Sequence, residues 1–150
     1  MLLSPDGPTV VLWAHILAAT IWIGGQITLG LLVPLLRHEP DLLAASARRF
    51  QWLAWAAYAA LLGTGVLNVH NAGMSWSHLG STVAGRTLML KLLFVALSGI
   101  AAGLHAFVIA PRATTRRTRT MRAMSGILGS ISLLSALAAA LYGVTIAERG

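Results

Sequence analysis

Long apolar runs separated by short polar connections organise this chain. Four runs are long enough to cross a bilayer as helices, which takes about 20 mostly apolar residues. They extend roughly from Thr9 to Leu36, Phe50 to Val69, Thr87 to Ala110 and Ala123 to Ala147. Pro8 opens the first run and Pro111 closes the third, both natural places for a proline at a helix boundary. The first run is too long for a signal peptide and has no basic residue before Arg37, so it is expected to stay as a helix. The pattern predicts an all-α polytopic membrane protein: one domain over residues 1–150, built as an antiparallel four-helix bundle.

Polar positions inside the runs fall on stripes. At 100° per residue, His15, Ala19, Trp22 and Gln26 share one face of the first helix. Lys91, Ser98, Ala102 and His105 share one face of the third. His15 and Lys91 each lie about two turns inside their helices from the same side, whereas His105 lies about 21 Å beyond Lys91. Ionisable groups at such depths are candidates for function. The fourth helix carries Gly126, Gly129, Ser130, Ser132, Ser135 and Ala139, small residues that let helices approach closely in lipid. Trp13, Trp76, Trp52 and Trp55 read as interface anchors, and Trp22 as interior packing.

Composition supports the membrane reading. Of 150 residues, 57% are hydrophobic and 10% charged, where a soluble domain carries about a quarter charged; mean hydropathy is +0.76. The net charge of +7 is no nucleic-acid footprint, because the arginines gather in two connections. Arg37, Arg48 and Arg49 follow the first helix; Arg112, Arg116, Arg117, Arg119 and Arg122 follow the third. Basic connections stay on the cytoplasmic side, so both termini and the middle connection are expected to be extracytoplasmic. The chain has no cysteine, which excludes thiolate metal sites and disulfides.

The middle connection contains His70, Met74 and His78. Imidazole suits Cu(II) and thioether suits Cu(I), although Gly73 opposes one continuous helical face across them. No zinc-enzyme motif, phosphate-binding loop, dinucleotide fingerprint or nucleophile elbow occurs.

Several of these residues carry a resemblance. Leu12-Trp13-Ala14-His15 through Trp22-Ile23-Gly24-Gly25, Arg49-Phe50, Gly63-Thr64-Gly65 and Gly85-Arg86-Thr87-Leu88-Met89-Leu90-Lys91 resemble, in order and spacing, the CopD copper-resistance domain. The resemblance spans about Leu12 to Arg112. It implies a multi-pass protein of the bacterial cytoplasmic (inner) membrane that handles copper, for uptake or tolerance. The outward-facing metal site would draw on His15, His70, Met74 and His78, with Lys91 tuning its charge. A more distant similarity is to HemJ, a four-helix protoporphyrinogen oxidase. That likeness implies haem b, with His15, Lys91 and His105 as cofactor-binding residues, His15 and Lys91 as the catalytic pair, and a tetrapyrrole or quinone as substrate. A third reading is a non-catalytic accessory subunit, working as a homodimer or beside other membrane subunits. The first reading is favoured and implies no enzyme; an enzyme, if present, would be a haem-dependent membrane oxidoreductase.

Overall fold

The computed structural model describes residues 4–36, 38–109 and 118–149. Arg37, Ala110, Pro111, Arg112, Arg116 and Arg117 lie outside the described residues, as do the side chains of His78 and Arg149. The described chain is almost entirely helical: α1 (Gly7–Leu36), α2 (Pro40–Asn71), a 3₁₀ turn (Trp76–His78), α3 (Val83–Gly103) continued by a π-helical segment (Leu104–Ile109), and α4 (Arg119–Arg149). All four long helices are apolar and long enough to cross a membrane, and no strand occurs among the described residues. The expected all-α membrane architecture is therefore present.

The helices outrun the apolar cores read from sequence. The largest difference is in α2, which begins at Pro40, ten residues before Phe50. Pro40 occupies the first turn and Asp41 follows it, a proline and an acid where a helix start favours both. Ala, Leu and Arg then continue the helix to Phe50 without a breaker. At 1.5 Å per residue the helix is about 48 Å long, against a hydrocarbon core of about 30 Å. Exposed Arg48 and Arg49 are thus carried on the helix rather than in a loop. Arginine does not end a helix; it only marks where the apolar stretch begins.

Local chemistry accounts for the other boundaries. Asp6 accepts the Thr9 amide at 2.9 Å ahead of α1, and hydrogen bonding from Thr9, by its side chain first and then by this amide, holds the Asp6 carboxyl below the usual carboxylate value. At the end of α2 the Gly73 amide donates to the His70 carbonyl and the Met74 amide to the Val69 carbonyl. Gly73 has a φ of 65°. This is the glycine-terminated helix end in which a left-handed residue lets the chain turn back. Thr82 caps α3, its hydroxyl oxygen accepting the Gly85 amide at 2.9 Å.

The helices form two compact units, Met1–Ser77 and His78–Gly150. In the first, α1 packs on α2 and Ala18, Trp22, Ala54, Ala57 and Val69 are buried. In the second, α3 packs on α4 and Leu88, Ser98, Ala101, Ser132, Ser135, Ala136 and Ala139 are buried. Each pair is antiparallel: Trp22 touches Tyr58 while Gly25 underlies Phe50, and Phe94 touches Tyr142 while Ser98 meets Ser132. Ser132, Ser135 and Ala139 deliver the close packing expected of α4, whereas Gly126 and Ser130 are exposed.

Gly85 is buried against the preceding turn, where a Cβ would collide with the backbone of Leu79. A backbone neighbour cannot swing aside as a side chain can. Gly85→Ala is expected to lower stability by about 1–3 kcal/mol, whereas Gly80→Ala, with open space around it, stays near wild type. Thermal unfolding of both variants in detergent checks the contrast.

Candidate functional site

The stripe read from α1 is the inward face of the α1–α2 pair: Trp22 is buried, and His15, Ala19 and Gln26 are half-buried. His15 meets α2 at the Gly63-Thr64-Gly65 stretch. Its Nδ1 lies 2.8 Å from the Thr64 hydroxyl, and its Cε1 is 3.5 Å from where a Cβ on Gly65 would stand. The Thr64 hydroxyl donates to the Ala60 carbonyl at 2.6 Å. A hydroxyl has one proton, so towards His15 it can only accept. Neutral His15 therefore carries its proton on Nδ1 and its lone pair on Nε2. This is how metal-ligating imidazoles are generally held: one nitrogen fixed by an oxygen, the other presenting electrons.

Deeper in the same pair, Trp22 packs on Tyr58 with ring centroids 4.7 Å apart and on Trp55 at 5.8 Å. Trp55 also meets Tyr58 edge-on. Trp55 is thus part of the packing between α1 and α2, not the interface anchor that its position near the basic connection suggests. Trp13 and Trp52 do face outward, Trp52 at 82% exposure. Phe50 closes the other end of the pair over Gly25, where a Cβ would enter the ring.

The polar stripe of α3 likewise faces its partner α4. Ser98 and Ser132, each 1% exposed, bring their hydroxyls within 3.3 Å. Lys91 is half-buried, and its Nζ lies 3.1 Å from where a Gly143 Cβ would be. His105 sits in the π-helical segment, a widened turn often found at functional sites. Its Nδ1 is 3.1 Å from the Ser125 carbonyl and 3.3 Å from the Ser125 hydroxyl. A carbonyl only accepts, so His105 also holds its proton on Nδ1 and its lone pair on Nε2.

The connection residues are placed differently. His70 is exposed in the last turn of α2, and half-buried Met74 follows the Gly73 reversal. The helix ends at Asn71, so no continuous helical face joins His70, Met74 and His78, as Gly73 led one to expect. Thr64, which marks the level of His15, precedes His70 by six residues, about 9 Å along α2. Among the described residues no group of three or more His, Cys, Asp or Glu is placed to hold a metal ion.

Four partners of these groups stand outside the polar stripes of α1 and α3: Thr64, Ser125, Tyr58 and Gly143. Thr64 and Ser125 carried a signal, each being a hydroxyl residue in a membrane helix able to serve an imidazole on a neighbouring helix. Gly143 matters only through the space it leaves, which no spacing rule discloses.

The curated proteins and the solved structures give no match to the chain. A family model does match: that of copper resistance protein D, over residues 44–147. The matched span includes Arg49-Phe50, Gly63-Thr64-Gly65 and Gly85–Lys91, and runs on through most of α4. The Leu12–Gly25 stretch with His15 lies before it. With more than half of its length matched, the chain belongs to the copper resistance protein D (CopD) family.

Proposed function

We propose that this membrane protein handles copper, for uptake or tolerance, through an outward-facing polar site in the bacterial cytoplasmic membrane. His15 is its intramembrane ligand, and His70, Met74 and His78 are the donors of the adjoining connection. The carrying observation is the His15–Thr64–Ala60 chain of hydrogen bonds, which holds Nε2 as the lone-pair nitrogen. Imidazole and thioether together suit both oxidation states of copper. The outward direction follows from charge: in the α1–α2 pair His15 is level with Thr64, 15 residues beyond Arg49 along α2. That is about 22 Å from the basic end, which belongs on the cytoplasmic side.

The test is cellular copper, measured by mass spectrometry in a host with and without the chain. Expression should change copper content, upward for uptake or downward for tolerance, and His15→Ala should return it to the empty-vector level. Copper content unaffected by the wild-type chain would refute the proposal.

A further inference from the structure

Lys91 stands on an apolar helix, and no described acidic residue of its own unit is paired with it. It forms no hydrogen bond or ion pair with any described residue. The chain has four acidic residues, and none stands inside an apolar stretch. Asp6 caps α1, Glu39 and Asp41 sit at the start of α2, and Glu148 is near the end of α4. Glu148 is exposed and five residues past Gly143, about 140° around α4 and about 7.5 Å further along. It therefore stands on a different face of α4 from Gly143, against which Lys91 packs.

The α3–α4 pair makes room for the ammonium. Lys91 Nζ occupies the space that a side chain at position 143 would fill. Three residues along α3, Phe94 stacks on Tyr142, the neighbour of Gly143, with planes 11° apart. An ammonium half-removed from water and given no partner is a poor structural element but a good recognition element, because a charge-assisted bond to an oxyanion compensates its lost hydration.

We infer that Lys91, packed on Gly143 where α3 meets α4, anchors an oxyanion there, a phosphate or carboxylate carried by a lipid headgroup or a soluble molecule. This assignment is independent of the copper reading and concerns the second helical pair alone.

Lys91 is the single lysine of the chain, so isotope-labelled lysine gives one side-chain NMR signal. The full chain is prepared in a phosphate-free maltoside detergent and titrated with phosphatidylglycerol in one arm and inorganic phosphate in the other. A saturable shift of the Lys91 signal is expected. Its appearance with phosphatidylglycerol alone assigns a lipid headgroup; its appearance with inorganic phosphate assigns a soluble oxyanion. Gly143→Leu, which takes the space the Lys91 ammonium occupies, should abolish the saturable shift while circular dichroism stays helical. Where that variant does not fold, native mass spectrometry of Lys91→Gln should show the singly loaded species reduced roughly tenfold or more, and Lys91→Arg should restore it. Absence of a saturable shift in both arms, or loading unchanged in Lys91→Gln, overturns the inference.

Discussion

Purified His15→Ala protein is expected to bind no copper above background, and Thr64→Val to bind it about 10–100-fold more weakly than wild type. The first effect removes the ligand. The second removes only what holds it. Valine matches threonine in shape but cannot accept the His15 Nδ1 proton, so that half-buried donor loses its 2.8 Å bond to Thr64. The tautomer that leaves the lone pair on Nε2 is then no longer enforced. An unmade bond of this kind costs about 1–3 kcal/mol, a range that covers the whole of the expected loss in affinity. Competition with a chromogenic Cu(I) chelator measures both variants against wild type. Equal affinity in wild type and His15→Ala would remove His15 from the site; equal affinity in wild type and Thr64→Val would remove the hydrogen-bond relay from the mechanism.

The second large effect concerns stability. Ser132→Leu is expected to destabilise the α3–α4 pair by about 3 kcal/mol or more, whereas Ser132→Ala costs only about 0.6 kcal/mol. Both Ser98 and Ser132 are 1% exposed, so no space exists for three further carbons between the helices. Leucine must push α3 and α4 apart, and the neighbouring contacts at Ser135, Ala136 and Ala139 loosen with them. Alanine keeps the close approach and loses only the hydroxyl contact at 3.3 Å, and interhelical hydrogen bonds in membranes are individually weak. Thermal unfolding in detergent, followed by circular dichroism, separates the two. Equal damage from alanine and leucine would mean that the hydroxyl pair, rather than close packing, holds these helices together.

Much of this arrangement can be read directly from residue order. Runs of Leu, Ala, Val and Ile define four spans because lipid imposes one requirement on every position facing it. The stripes of α1 and α3 were legible for a related reason: His15, Gln26, Lys91, Ser98 and His105 are polar exceptions in apolar surroundings, and helical geometry alone places them on a face. The start of α2 was not legible, because Arg48 and Arg49 mark a change of solvent and not an end of helix. The role of Trp55 was hidden for the converse reason, since an aromatic near a basic connection suits an interface as well as it suits a partner such as Trp22.

The candidate site was legible in its donors and opaque in their supports. His15 could be singled out, but its pairing with Thr64 depends on the register between α1 and α2. That register is set by packing details such as Phe50 over Gly25. The protonation of His15 depends in turn on where the Thr64 proton goes, a relation between three residues on two helices. Gly143 has no chemical signature, and its contribution is the volume it leaves for Lys91.

The most direct measurement is metal analysis with an absorption spectrum on one sample of the purified full chain. The copper-handling account predicts bound copper in near-stoichiometric amount, lost in His15→Ala, and a spectrum with no Soret band. A Soret band without copper, or no copper above background in the wild-type protein, would contradict it.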